Sequence, residues 1–168
     1  MVVLNRNEAI ILASFLNMLS LSDEDKSAEM YDALSDAGHD DSDDIDDAER
    51  NRILREYLQH KIASYRNSFI EELLVSTLKS PIKITGVDVQ LFPCPCCGYS
   101  TLKLSAEYFI CAVCYWEDDG TVDKERISSV NGMSLGEGKV NFQRYGVVAE
   151  FLSEKADKDR FAKYYLSH

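Results

Sequence analysis

The chain has 168 residues, with 18 Lys and Arg against 29 Asp and Glu, a net charge of −11, and five Cys. That length suits one domain or two small ones with a real core, and a hydrophobic fraction of 45% excludes wholesale disorder. No apolar run reaches the roughly 18–20 residues that span a bilayer, and the acidic balance argues against binding duplex nucleic acid through its phosphates.

The first twenty residues are apolar, yet Glu8 and Asn17 interrupt them, only Arg6 supplies a basic region, and no small-residue cleavage site follows. A packed helix is expected instead. Asn5 and Glu8 have the spacing of a cap and its third-position acid, and Ile11, Leu12, Phe15, Leu16 and Leu19 recur at helical steps. Without an export signal, the expected location is the reducing cytoplasm.

The acidity is local. From Ser22 to Glu49 there are thirteen acids and one Lys, a net of −12, which leaves the rest of the chain near +1. Ser22 is placed to cap a helix that begins with Asp23, Glu24 and Asp25, buries Met30, Tyr31 and Leu34, and ends at Gly38. The following HDDSDDIDDAE is too charged to pack and is expected to be an exposed loop running into the next helix. Ile53, Leu54, Tyr57, Leu58, Ile62, Tyr65, Phe69, Leu73 and Leu74 then mark a long amphipathic stretch, one helix or two broken near Ser64–Ser68, stopped by Pro81. Residues 1–80 are thus expected to form an acidic helical unit. The basic residues Arg50, Arg52, Arg55, Lys61 and Arg66 lie mostly off the apolar stripe, free to pair with the acids.

After Pro81 the character changes. Ile82, Ile84, Val87 and Val89 around Gly86 fit a short strand or hairpin. Cys94-x-x-Cys97-Gly98 and Cys111-x-x-Cys114 follow, two matching pairs thirteen residues apart. Each makes a tight turn that presents two sulfurs to one point, and four thiolates suit tetrahedral zinc. Thr101–Leu104 and Tyr108–Ile110 are expected to form a hairpin that brings the pairs together. Two disulfides, a thioredoxin-like redox pair and iron are the competing readings; a cytosolic chain disfavours the first, and the second lacks its strand-to-helix context. Cys94, Cys97, Cys111 and Cys114 are the expected metal ligands, with Cys96 a buried thiol beside them.

Phe92-Pro93-Cys94-Pro95-Cys96-Cys97-Gly98-Tyr99, then Tyr108-x-Ile110-Cys111-x-Val113-Cys114-x-Trp116-Glu117-Asp118-Asp119, resembles the bacterial cysteine-rich CPCC family. The resemblance continues through Asn131-Gly132-x-Ser134-Leu135 and Asn141-Phe142 to Tyr145-Gly146, covering about residues 91–146. It implies a small metal-stapled module and no particular reaction. The sequence departs from the family at Gly136 and Gly138, where a cleaner helix is usual.

Four cysteines close a zinc site to water, the three histidines share no motif with a nucleophile, and no Gly-rich phosphate loop occurs, so no enzymatic activity is expected. Trp116 is expected to plug the zinc lobe, with the acids after it in a solvated turn or a cap. Ser134 and Glu137 have capping-box spacing for a helix that packs Val140, Phe142 and Tyr145 on the ribbon, and Asp157 is placed to cap a last helix.

The expected fold class is α+β, a helical half followed by a zinc-ribbon-like β module with C-terminal helices over 81–168. The expected function is binding of a basic protein partner through the acidic surface carrying Asp36, Asp40, Asp41, Asp43, Asp44, Asp46 and Asp47. The specific expectation is an immunity protein that neutralises a basic bacterial toxin domain. The alternative is a zinc-ribbon nucleic-acid or transcription accessory factor, for which Lys103, Lys124 and Arg126 are thin support.

Overall fold

The computed structural model describes residues 1–40 and 44–167. They divide into two compact units, Met1–Val89 and Gln90–His168. The architecture is α+β, with a helical first half and a small β module bearing the cysteine cluster.

In the first unit, strand β1 (Val2–Asn5) leads into helix α1 (Arg6–Ser20), followed by α2 (Asp23–Asp36), α3 (Asp47–Ala63), α4 (Asn67–Leu78) and strand β2 (Ile82–Thr85). The polar caps fall where the sequence puts them. Asn5 and Glu8 form a reciprocal capping box, and the Ser22 hydroxyl accepts the Asp25 N–H. Gly38, at φ +80°, ends α2, with the His39 N–H donating to the Leu34 carbonyl. The core is Ala9, Ala13, Ala33, Ile53, Leu54, Leu58, Ile62, Ile70 and Leu74.

Two apolar expectations are corrected. Tyr31 is exposed, and Ala33 takes the buried place on α2 with Met30 and Leu34 beside it. On α1, Ile11, Phe15 and Leu19 are exposed, because the small side chains of Ala9 and Ala13 make the close-packed face.

The long amphipathic stretch is two helices, broken after Ala63. Arg6 organises the break. Its guanidinium donates to the Ala63 and Tyr65 carbonyls at 2.8 and 2.9 Å and pairs with Asp88 at 3.3 Å, while Asp88 accepts the Asn67 N–H that opens α4. A cation thus meets a helix C-terminus and an anion a helix N-terminus.

Strand β2 does not form a hairpin. It pairs in parallel with β1, Val2 opposite Ile82 through Asn5 opposite Thr85. This pairing belongs to the first unit, so the unit extends to Val89 rather than ending at residue 80.

In the second unit, β3 (Phe92–Pro93) pairs antiparallel with β4 (Ser100–Leu102), and β5 (Ile127–Ser128) with β6 (Met133–Ser134). Helix α5 (Leu135–Tyr145) follows, then a 3-10 turn (Glu150–Leu152) and the short α6 (Arg160–Lys163). Ser134 and Glu137 form the capping box of α5, and Gly146 closes it at φ +73°. The two glycines inside α5 have a packing reason. A Cβ on Gly136 would lie 2.9 Å from the Lys124 carbonyl oxygen, and one on Gly138 would lie 2.9 Å from Cζ3 of Trp116. Lost helix propensity is exchanged for close approach. Val140 is exposed, contrary to expectation, while Phe142 meets Phe161, which in turn meets Tyr99 of the ribbon. Among the described residues, no helix is long and apolar enough to cross a membrane.

Candidate metal centre

The two cysteine turns are near copies of one another. In the first, the Cys94 N–H donates to the Tyr99 carbonyl at 2.9 Å and the Gly98 N–H to the Cys94 carbonyl at 2.9 Å; in the second, Cys111 donates to Trp116 at 2.8 Å and Tyr115 to Cys111 at 2.8 Å. The residue after each second cysteine is left-handed: Gly98 at φ +80°, Tyr115 at φ +67°. Glycine adopts that conformation without steric cost, whereas Tyr115 does not.

Each turn has its own strand pair. β3 and β4 flank the first, and a bridge between Ile110 and Glu117 flanks the second. The expected hairpin of Thr101–Leu104 with Tyr108–Ile110 does not form. Ala106 and Tyr108 have φ of +59° and +61°, which no strand continues through. The loop is tied instead to Asp118. Its carboxylate accepts the Ala106 N–H at 2.7 Å, and its backbone bonds Tyr108 and Phe109 at 2.9 and 3.0 Å. Asp118 is 2% exposed, so it is a buried brace rather than part of a solvated turn.

These turns bring Cys94, Cys97, Cys111 and Cys114 together, all buried, with every sulfur within 4.8 Å of the others. Cys94 Sγ lies 3.7 Å from Cys114 Sγ, and Cys97 Sγ lies 3.6 Å from Cys111 Sγ. A disulfide needs about 2.05 Å, so the four are free thiols. A tetrahedron with Zn–S bonds of about 2.3 Å has an S···S edge of about 3.8 Å, so the donor set fits one ion of that size. The same spacing leaves no room for two irons and their bridging sulfides.

The electrostatics favour a cation. Four buried sulfurs cannot all ionise side by side. Hydrogen bonds, first from Cys114, hold Cys111 well below the usual thiol range, while Cys97 and Cys114 are pushed up, each first by its bond to Cys111. A divalent ion at the centre would offset that repulsion and stabilise four thiolates. Cys111 is also prepared as an acceptor: the Thr101 hydroxyl donates to its sulfur at 3.1 Å, and the Val113 and Cys114 N–H groups at 3.4 and 3.5 Å.

The surroundings hold the centre rigid. Trp116 is fully buried, with Gly138 against its ring, and the Cys96 sulfur lies on the same side, 3.4 Å from the position of a Gly138 Cβ. The Asn131 amide takes the Glu117 N–H at 2.9 Å and donates to its carbonyl at 2.8 Å. Arg160 donates to the Val113 carbonyl at 3.2 Å. The bracing roles of Thr101, Asp118, Asn131 and Arg160 have no signal in cysteine spacing, because each acts across a turn or between elements distant in sequence.

The acidic residues are placed differently. Asp36 ends α2, Asp46 caps α3 by accepting the Glu49 N–H at 2.9 Å, and Asp47 opens that helix. Asp40 and Asp44 lie in the connection; Asp41 and Asp43 lie outside the described residues. Asp23 and Asp47 border an open groove of about 730 Å³ between α2 and α3, floored by Met30 and Leu34. The acidic field reaches Tyr57, whose phenol is pushed up to about 12, first by burial and then by Glu29, Asp32 and Asp36. Of the basic residues on α3, Lys61 reaches back to Glu29 on α2, whereas Arg52 is engaged with Glu49 and Glu56 of its own helix. His39 and His60 line a second groove with Asp36 and Glu56; His168 lies outside the described residues.

Residues 92–160 match the family model described as Cysteine-rich CPCC. The match runs past Gly146 to Arg160, taking in the brace on Val113. No curated protein and no solved structure matches the chain.

Proposed function

On the premise that residues 92–160 are a cysteine-rich CPCC module, we propose that this protein is a non-enzymatic, zinc-stapled protein-binding protein of the bacterial cytoplasm. Its ion is structural. Four cysteine ligands complete a tetrahedron and leave no position for water or substrate, which supports a scaffold over a catalyst. The S···S spacings of 3.6 and 3.7 Å suit a single tetrahedral ion, and zinc is the common choice for a structural four-thiolate site.

The partner is a basic protein domain, specifically a toxin that this protein neutralises as an immunity protein. The observation carrying that reading is the concentration of charge: residues 22–49 carry a net −12, and the rest of the chain is near neutral. A field of this kind steers a basic partner and rejects acidic ones. The groove between α2 and α3 offers that partner an apolar floor, with Asp23 and Asp47 alternating with Lys26 and Arg50 around it.

Two measurements test the reading. Metal analysis of the purified protein should return one zinc per chain; iron, or no metal with four titratable thiols, overturns the ion. Co-expression of this protein should rescue cells poisoned by a basic toxin domain that it binds, and joint replacement of Asp40, Asp41, Asp43 and Asp44 by Asn should weaken rescue without loss of zinc. Full rescue by that variant, or tight binding of single-stranded DNA by the native protein, overturns the acidic-face reading.

A further inference from the structure

Residues 160–167 tie the two cysteine turns together from outside the sulfur cluster. On the second turn, Arg160 donates to the Val113 carbonyl at 3.2 Å, between Cys111 and Cys114. On the first, Leu166 forms an antiparallel bridge with Tyr99. The Ser100 N–H donates to the Tyr165 carbonyl at 2.8 Å, the Ser167 N–H donates to the Gly98 carbonyl at 3.0 Å, and the Ser100 and Ser167 hydroxyls meet at 2.6 Å. Tyr165–Ser167 thus lie along the start of β4 as a short antiparallel strap.

Gly98 is held from both sides. Its N–H donates to the Cys94 carbonyl at 2.9 Å within the turn, and its carbonyl accepts from Ser167 outside it, so any backbone movement that draws the adjoining Cys97 out of the cluster pulls on both bonds. A Cβ on Gly98 would lie 3.5 Å from both Leu166 Cδ1 and the Ser167 carbonyl oxygen, which puts the strap directly against the turn. Cys97 is also the cluster cysteine nearest solvent, 8% exposed against 2% for Cys94 and 0% for Cys111 and Cys114. The strap is firmly anchored at one end only. Tyr164 is buried and Phe161 packs on Tyr99 and Phe142, whereas Tyr165, Leu166 and Ser167 are exposed. Backbone hydrogen bonds open to water, with few buried contacts behind them, break far more often than those of a packed core.

We propose that Tyr165–Ser167 are a strap that gates the metal centre, with Cys97 the first ligand to come free when the strap lifts. This rests on the reading of the four cysteines as the site of one ion, and adds to it a route and a control point for exchange. While the strap is down, Gly98 is fixed and Cys97 is kept in the ligand set. When it lifts, hinged where buried Tyr164 gives way to exposed Tyr165, the first turn is free to move and the Cys97 sulfur becomes reachable by a competing ligand or an electrophile. Exchange then proceeds from the open state alone, so its rate follows the fraction of molecules with the strap up.

Transfer of zinc from the fully loaded protein to an excess of a coloured chelator, followed in time, reads the gate. Ser167→Pro removes both the N–H bond to Gly98 and the hydroxyl bond to Ser100, and should speed transfer about thirtyfold while the protein still binds one ion per chain. A chain ending at Tyr164 should do at least as much, and carries the test if the proline variant fails to fold. In both, peptide mapping after a brief pulse of iodoacetamide should find Cys97 modified ahead of Cys94, Cys111 and Cys114. Ser134→Ala is the control: it removes the cap of α5 and should lower the melting temperature of the same unit, yet leave the transfer rate close to native. Rates that stay native in both strap variants, rates that simply follow melting temperature across all three, or modification that begins elsewhere than Cys97 overturn the strap and leave the metal reading intact. Native protein that binds no zinc overturns both.

Discussion

Replacing Cys111 by Ser removes a ligand that three hydrogen bonds hold in place, and the consequence is large enough to separate the two units. The C-terminal unit has about eighty residues, for which ordinary domains of that size supply about 4–12 kcal/mol of stability. Structural zinc supplies about 10–16 kcal/mol of apparent binding free energy near neutral pH, so the ion contributes as much as the whole of that margin or more. The variant should therefore unfold the second unit and leave the first intact. The chain carries its own reporter, since its single tryptophan, Trp116, is fully buried in the second unit. Its emission should shift to the red in Cys111→Ser, or on treating the native protein with a strong chelator. Far-ultraviolet circular dichroism should keep most of its helical signal, because α1 to α4 lie in the first unit. Trp116 emission that stays at its native wavelength after complete removal of the ion would refute the argument, and would mean that packing alone sustains the module.

Gly138→Ala places a methyl group 2.9 Å from Trp116 Cζ3; overpacking costs about 1–3 kcal/mol against about 1 kcal/mol gained in helix propensity, so the melting temperature of the second unit should fall. Cys96→Ala should keep one ion per chain by metal analysis and cost less than about 3 kcal/mol, and loss of the ion would make Cys96 a ligand. Asp46→Ala removes the cap of α3 and should destabilise the first unit by about 0.5–2 kcal/mol in urea titration, so its effect on partner binding has to be read against that loss. The Glu71 carboxyl is held below the usual range, first by the Ile84 N–H and then by Lys83, against the opposing effect of burial. Because its folded pKa is the lower one, its stabilisation is complete above the ordinary value of about 4.3 and is lost as pH falls through the folded value; Glu71→Gln should flatten the acid unfolding curve of the first unit there.

The features legible in the sequence were the local ones. Helix caps at Asn5, Ser22 and Ser134 are set by hydrogen bonds within three residues, and the cysteine turns by spacing within four. What could not be read depends on partners distant along the chain. Nothing in Val2–Asn5 announces a partner at Ile82–Thr85, and nothing in Gly138 announces the indole against it. The exposure of Tyr31, Ile11 and Phe15 shows the same limit, because helical periodicity identifies an apolar stripe but not which part of it the neighbouring helices reach. Ala106 and Tyr108 adopt left-handed conformations that their types do not suggest, imposed by Asp118.

The parallel register of β1 with β2 also sets a timetable. The two strands are separated by nearly the whole first unit, and closing a loop of about eighty residues costs about 2.7 kcal/mol more than closing a four-residue hairpin. On a ribosome adding about 5–20 residues per second, residues 2–5 emerge about 4–16 s before residues 82–85, whereas the intervening helices form in microseconds. Through that interval β1 lacks its native neighbour. The slow step in making this unit is therefore the arrival of its last strand, and a valine-rich segment must wait in a crowded cell until it comes.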